Sequence, residues 1–476
     1  MAAVERFDLA VIGAGGAGST AAFEAVGRGA KVAMFERWLV GGTCLNVGCD
    51  PTKTLVRSAE AFHLAKTSTR FGVTIPTATL DWPAVRRRVE TVIDTIRGGD
   101  GDQNVRVSGI ALFKEHARLL GDGRISSVER EISAEKIIIA TGARSAIPAI
   151  PGLAEVGSIT NVQAVALATL PKSLAIVGGG TIAVEFAQIF ARFGVDVTVI
   201  GSREALVPKE DEELSRALRA ILEREGVRIE TGVRLTGARS SGGLKTLQGE
   251  RGGKSVTVAA EEILIAAGRS PIVEDLGLES AGVAFSSRGV DVDEQLRTTA
   301  EKIWAIGDVT GKFPFTHIAD YQARIAEHNA MSGKPPQFAD YRATPWITFT
   351  DPELARVGLT EAEARAAFDD VNCATVGMKD IARAITADET DGLVKLVTRR
   401  STGEILGGHV LAARGGELLP QIVLAMRFNL PVNAIAETIH AYPSLSEAVF
   451  WAAFSASRPE MMIEMHSGQI GMKAER

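Results

Sequence analysis

The chain has 476 residues, room for three domains of about 150 residues each. Its 46% hydrophobic and 23% charged content is that of a globular protein. A formal net charge of −6 excludes an electrostatic footprint for nucleic acid and a basic face for anionic lipid.

No apolar run reaches the ~18 residues of a membrane span. The start, "MAAVERFDLAVIGAGG", lacks a signal-peptide cleavage pattern. Three cysteines in all, Cys44, Cys49 and Cys373, suit a reducing compartment, so a cytoplasmic protein is expected.

In chain order, "RFDLAVIGAGGAGSTAAFEAVGRGAKVAMFER" reads strand, glycine turn, helix, strand, with Leu9 to Ile12 apolar enough for a buried parallel strand. Gly13, Gly15 and Gly18 form G-x-G-x-x-G between that strand and the helix. The first allows the tight turn, the second lets backbone approach a pyrophosphate, and the third lets helix and strand pack closely. Glu36 ends the next strand, where a carboxylate can accept from both ribose hydroxyls. A dinucleotide site follows from that register.

Next comes "GGTCLNVGCDPTK", two cysteines at C-x4-C opening the helical pattern "KTLVRSAEAFHLA". Thiols at a helix N-terminus meet the positive dipole end, which favours thiolate at neutral pH. Beside a flavin site this spacing is a redox-active pair. Lys53, four residues after Cys49, falls on the same helix face. Asp50 either sets a carboxylate against the thiolate, in opposition to the dipole, or stands as an exposed neighbour with little effect.

"EKIIIATGARSAIPAIPG" leaves the first unit near residue 150, and "SLAIVGGGTIAVEFAQIFARFGVDVTVIGSR" repeats the same strand–turn–helix–strand design. Its Gly178, Gly180 and Ala183 give G-x-G-x-x-A. After its second strand the chain reads Gly201-Ser202-Arg203, with no counterpart of Glu36. That removes repulsion against a 2′-phosphate, which Ser202 and Arg203 can bind; NADPH is favoured over NADH. "EEILIAAGRSPIVEDLG" and "IWAIGDVTG" each end a buried strand, and from Tyr341 onward the pattern suggests an antiparallel sheet with helices.

The cysteine motif, with the "ATG", "AAGRSP", "AIGDV" and "TDPELARVGLT" phrases, resembles the pyridine-nucleotide disulfide oxidoreductases over essentially the whole chain. That flavoprotein group includes dihydrolipoamide dehydrogenase, glutathione reductase and mercuric reductase. The resemblance implies an α/β fold of two Rossmann-like domains, binding FAD and NAD(P), plus a C-terminal α+β dimerisation domain. Expected boundaries are 1–150 and 271–338 for the FAD domain, 151–270 for the NAD(P) domain and 339–476 for dimerisation. It further implies a homodimer with a shared site, Cys49 as the thiolate against the flavin, and Cys44 as the thiol that meets substrate. Asp308 would bind the ribityl chain, and Lys53 with Glu185 would form an ion pair at the flavin's N5 edge. The matching phrases put Gly42, Thr43, Thr141, Gly142, Gly268, Arg269 and Gly307 against the cofactors.

"IHAYPSLSEAV" departs from the pattern. In disulfide-reducing members of the family the position of Tyr442 is the acid–base histidine, oriented by a glutamate at the place of Glu447. Tyrosine, with a pKa near 10 against about 6.5 for histidine, is a poor base at pH 7. Three readings follow. The acceptor needs no leaving-thiol proton, being a soft metal ion or a quinone, and mercuric reductase also lacks this histidine. Alternatively His440, two residues away on the same face of an extended segment, serves a disulfide reductase as proton relay. In the third, the chain is a redox-responsive binding or scaffold protein. The absence of a second cysteine pair near the C-terminus weakens an assignment to mercury. In the tail, the Met cluster with His466 reads as packing on a partner subunit before soft-metal ligation, and Cys373 as a buried small hydrophobe.

Overall fold

In the computed structural model, residues 4–458, 461–466 and 469–474 are described, the last two stretches as backbone only. The expected strand Glu5–Ile12 is the centre of a seven-stranded sheet. Val32–Phe35 and then Ala111–Phe113 flank it on one side, Glu131–Ile139 on the other, all parallel. Leu9, Ala10 and Val11 are wholly buried, and each such Leu or Val contributes about 1.5–3 kcal/mol relative to exposure. The strand Ile303–Ala305 pairs in parallel with residues 137–139, so the chain returns to the first sheet after building the second.

The second unit is a four-stranded parallel sheet ordered Arg228–Glu230, Asp196–Ile200, Ser173–Val177, Glu262–Ile265. The helix Thr181–Arg192 is buried along most of its length, with Phe186 and Phe190 stacked at 5.9 Å. A parallel strand followed by a glycine turn and a helix aims the helix N-terminus at whatever lies beyond the strand ends. Both units do this.

The C-terminal domain holds a five-stranded antiparallel sheet, Pro345–Thr348, Glu353–Gly358, Ile405–Ala412, Leu393–Arg399 and Val371–Gly377, as its alternating pattern suggests. The helix Glu447–Ser457 buries Ala448, Val449, Ala452, Ala453 and Ala456 at 0–6% exposure, small residues that let it sit close to the sheet. Cys373 lies in the edge strand and is half-buried, not buried as expected, with the Arg365 guanidinium 4.0 Å from its sulfur. Burial still pushes its thiol up to about 11, so it is inert at neutral pH. The backbone of 461–466 and 469–474 pairs as a hairpin. The packing or ligation expected of the Met cluster and His466 lies outside the described side chains. No helix among the described residues is long and apolar enough to cross a membrane.

Candidate active site

The ends of both parallel sheets open into one cavity of about 3320 Å³. Drug-sized sites occupy about 300–1,000 Å³, so this cleft has room for two dinucleotides. Of the residues read from the sequence, Gly13, Gly15, Glu36, Gly42, Thr43, Cys44, Cys49, Lys53, Thr141, Gly142, Gly178, Gly180, Glu185, Ser202, Arg203, Gly268, Arg269, Gly307 and Asp308 all line it. Gly18 and Ala183 do not. They are buried where helix meets strand; a Cβ on Gly18 would lie 1.9 Å from the Gly13 carbonyl oxygen. Their contribution is to packing that shapes the turn, rather than to contact with a ligand.

Glu36 accepts from the Ala14 backbone N–H at 2.8 Å and from that of Trp38 at 2.7 Å, so both oxygens are fixed at the strand end. Each retains a lone pair for a hydroxyl. In the second unit the corresponding place is Gly201, whose N–H is bound by Glu230 O, and Ser202 and Arg203 stand exposed beside the turn. Arg203 makes no ion pair among the described residues. Asp308 pairs with Arg269 at 3.1 Å; burial raises its carboxyl while Arg269 opposes. The cradle thus fits a dinucleotide on each side, with an acid for one ribose and a free cation for the other.

The cysteines are not on one helix. Cys44 sits in the short helix Gly42–Val47, pinned by Asn46, whose amide donates to the Val40 and Gly42 carbonyls. Gly48 then breaks the chain at φ −122°, ψ −110°, where a Cβ would meet Thr43 O at 2.8 Å. Cys49 opens the 19-residue helix Cys49–Thr67 and takes the whole benefit of its N-terminus. Both are free thiols here, the reduced form. The Cys44 thiol, donating to its neighbour, lowers Cys49 to about 6; burial opposes, and Thr316 and Lys53 add to the effect. Asp50 works against it, the first of its two readings, as the smallest of these influences. Cys44 moves the other way, held up first by that same bond and then by burial. One thiolate and one thiol at pH 7 result.

Lys53 reaches across to Glu185 at 2.9 Å, joining the first unit to the second. Burial pushes the Lys53 ammonium down, but Glu185 more than offsets it and leaves it raised.

Thr316, absent from the sequence reading, is the side chain hydrogen-bonded to both sulfurs. Its hydroxyl lies 3.0 Å from Cys44 Sγ and 3.4 Å from Cys49 Sγ, and its single proton goes to Cys49 once that sulfur is a thiolate. It opens the helix Thr316–Met331, 267 positions from Cys49, a distance no local pattern bridges. Thr316→Val is expected to raise the Cys49 titration by about one pH unit, the worth of one hydrogen bond to a charged group. Since the lowered value means thiolate is present above pH ~6, its share at pH 7 falls from about nine-tenths to about half. Alkylation rate against pH measures this, and Thr316→Ser should restore the original profile.

Tyr442, Glu447 and His440 do not line the cavity of their own chain. Tyr442 is 76% exposed and Ile439 97% exposed. Glu447 accepts from the Ser444 backbone N–H at 3.2 Å. His440 faces inward: its ring nitrogens lie 2.9 Å from Thr438 O and from Gln421 Oε1, and its ring packs on Phe450 at 5.4 Å. The segment lies outside any strand and bends at Tyr442 and Pro443, and Tyr442 is exposed where His440 is half-buried.

Two dinucleotide cradles meeting over a thiol pair define a flavin- and nicotinamide-dependent disulfide oxidoreductase. The chain belongs to the pyridine nucleotide-disulphide oxidoreductase family: the family model matches residues 7–323, and its dimerisation domain residues 344–453. It is an enzyme that uses FAD and NAD(P)H with a redox-active disulfide, which removes the scaffold reading. The mercuric reductase of Streptomyces lividans is 38% identical over 460 residues, 94% of this chain and 95% of that one. The dihydrolipoyl dehydrogenase of Bacillus subtilis (strain 168) is 34% identical over 470 residues, 95% and 98%. Among solved structures, the Cu(II) complex of the HOCl-induced flavoprotein disulfide reductase RclA from Escherichia coli superposes with TM-score 0.85. It shares 30% identity and covers 95% of this chain and 99% of that one.

Proposed function

We propose that the chain carries electrons from NADPH through FAD and the Cys44–Cys49 pair to a soft metal ion such as Hg(II) or Cu(II). The observation that carries this is Tyr442, standing exposed where a disulfide reductase needs an imidazole. His440, with both ring nitrogens engaged inside its own domain, offers no replacement.

A flavin held by Glu36, Asp308 and the Gly13–Gly18 turn would supply the hydride-accepting chemistry that links the nicotinamide to the disulfide. The chain's residues do the rest. Glu36 and the Gly13–Gly18 turn hold one dinucleotide, Gly178–Gly180 with Ser202 and Arg203 the other. Lys53 and Glu185 provide a fixed charge between them. Cys49, lowered to about 6, remains a thiolate, and with Cys44 it forms a soft sulfur pair of the kind that thiophilic ions select. Cys44 gives up its proton to solvent as the metal ion binds; two electrons leaving the pair then reduce one Hg(II), or two Cu(II) in turn, and the Cys44–Cys49 bond forms again. No thiol leaving group is released, so no acid is needed. Relatives named mercuric reductase and the Cu(II) complex support this reading, while those named dihydrolipoyl dehydrogenase or disulfide reductase support the alternative.

The dimer completes the site. Leu424, Phe428, Leu430, Ile439 and Tyr442 are exposed on the C-terminal domain, apolar surface of the sort that marks an interface. On this reading the loop carrying Tyr442 enters the sulfur pocket of the second copy, in the reducing cytoplasm.

An acceptor panel with NADPH tests the assignment. Turnover with Hg(II) or Cu(II) should exceed that with lipoamide or glutathione disulfide; the reverse order would sink it. For the nicotinamide, Arg203→Ala is expected to raise KM for NADPH about 10–100-fold, the loss of one charge-assisted contact of 1.5–3 kcal/mol, and to leave NADH unchanged. Initial rates with both nucleotides measure it.

A further inference from the structure

Phe349 is a residue of the C-terminal domain that touches both members of the ion pair between the two nucleotide units. Its backbone N–H donates to Glu185 Oε1 at 2.8 Å, leaving Oε2 for Lys53 at 2.9 Å. The Lys53 ammonium lies 4.4 Å from the centroid of the Phe349 ring, within the range of a cation–π contact.

Its placement is not that of a loosely packed side chain. Thr181, Glu185, Gln188 and Arg192 form one stripe along the helix Thr181–Arg192, four, three and four residues apart. Each bonds the strip Thr348–Asp351. Thr348 Oγ1 donates to Thr181 Oγ1 at 3.1 Å, and Gln188 exchanges two bonds of 2.8 Å with the Asp351 backbone. Arg192, bound to Asp351 at 2.8 Å and to Glu225 at 2.7 Å, closes the row. Thr348 and Thr350 on either side of Phe349 are wholly buried. The C-terminal domain is therefore fastened along the helix, and Phe349 is held at the ion pair from both sides.

We propose that Phe349 is a positioning residue for the electron-transfer centre: its N–H fixes the Glu185 carboxylate and its ring face holds the Lys53 ammonium. The charge beside the bound flavin is thereby set by the C-terminal domain. A ring that merely fills space would be replaceable by any apolar residue of similar bulk. A ring that holds the ammonium acts through the negative potential of its face, which fluorination removes at nearly constant shape.

The inference rests on the reading that Lys53 and Glu185 flank the flavin, and the experiment separates the two. The ratio of oxidised to reduced flavin is read in the FAD-loaded enzyme at equilibrium with a redox dye of fixed poise. Lys53→Met should lower the reduced fraction, since a cation favours the reduced, anionic ring. Phe349→Leu should shift the ratio the same way by about three- to tenfold, the worth of a partly desolvated cation–π contact. Phe349→Tyr, which keeps the ring face, should restore it. Stepwise fluorinated phenylalanine at 349 should give a graded shift, and this series serves if the leucine variant fails to load flavin. No shift in Lys53→Met would overturn the reading and the inference together. A shift in Lys53→Met with none across the fluorinated series would overturn the role of Phe349 alone.

Discussion

Replacing Cys49 with serine is expected to abolish acceptor reduction, by on the order of 10⁴-fold or more, as when a residue of the bond-making unit is removed. Flavin loading should remain, because Glu36, Asp308 and the glycine turn are untouched. Reduction of the flavin by NADPH should persist as well, since the Lys53–Glu185 pair does not depend on that sulfur. The long-wavelength absorbance of a thiolate against oxidised flavin should be lost. Serine cannot replace the thiolate: its hydroxyl does not ionise near the pH of about 6 at which Cys49 does. Cys44→Ser should instead keep a thiolate at 49 and retain that absorbance while losing turnover. Absorbance spectra of the two-electron-reduced proteins distinguish the variants, and turnover that survives in Cys49→Ser would refute the sulfur relay.

Placing histidine at 442 is expected to raise disulfide reduction by about 10²-fold or more, the usual worth of general acid–base help. Hg(II) or Cu(II) reduction should change little, because no leaving thiol needs a proton there. Glu447 stands five residues on, as in the family pattern, although here it accepts from the Ser444 backbone N–H and must release that bond to orient an imidazole. The gain should grow as pH falls toward the ordinary histidine value of about 6.5 and disappear well above it. Rates with lipoamide and glutathione disulfide across pH 5.5 to 9 measure this. A histidine variant no better than the parent would mean that something other than the missing imidazole limits the reaction.

How much of this was legible in the chain follows from how local each signal is. The two cradles were readable because Leu9–Ile12 and Leu174–Val177 are apolar runs that pass directly into spaced glycines, and strand, turn and helix are set within about 30 residues. The cysteine pair was readable for the same reason, but its break was not. The run "CLNVGCDPTKTL" gives one helical start, whereas Gly48 divides it into two helices and gives Cys49 alone the dipole of the longer one. Thr316 and Phe349 left no local trace, for each reaches the site only through sheet and domain packing. What His440 meets in a dimer depends on a second copy of the chain, which no local pattern describes. Within its own chain its ring meets Gln421 and Phe450, partners set by folding and not by spacing. Periodic patterns report neighbours in sequence, and residues brought together by folding escape them.

The most direct measurement is single-turnover mixing under anaerobic conditions. Enzyme reduced by one equivalent of NADPH should show the thiolate–flavin absorbance. That band should collapse within one turnover on adding Hg(II) or Cu(II), with return of oxidised flavin, and should persist with lipoamide or glutathione disulfide. A band that ignores the metal ions and clears with a disulfide, or that never forms, would contradict the account.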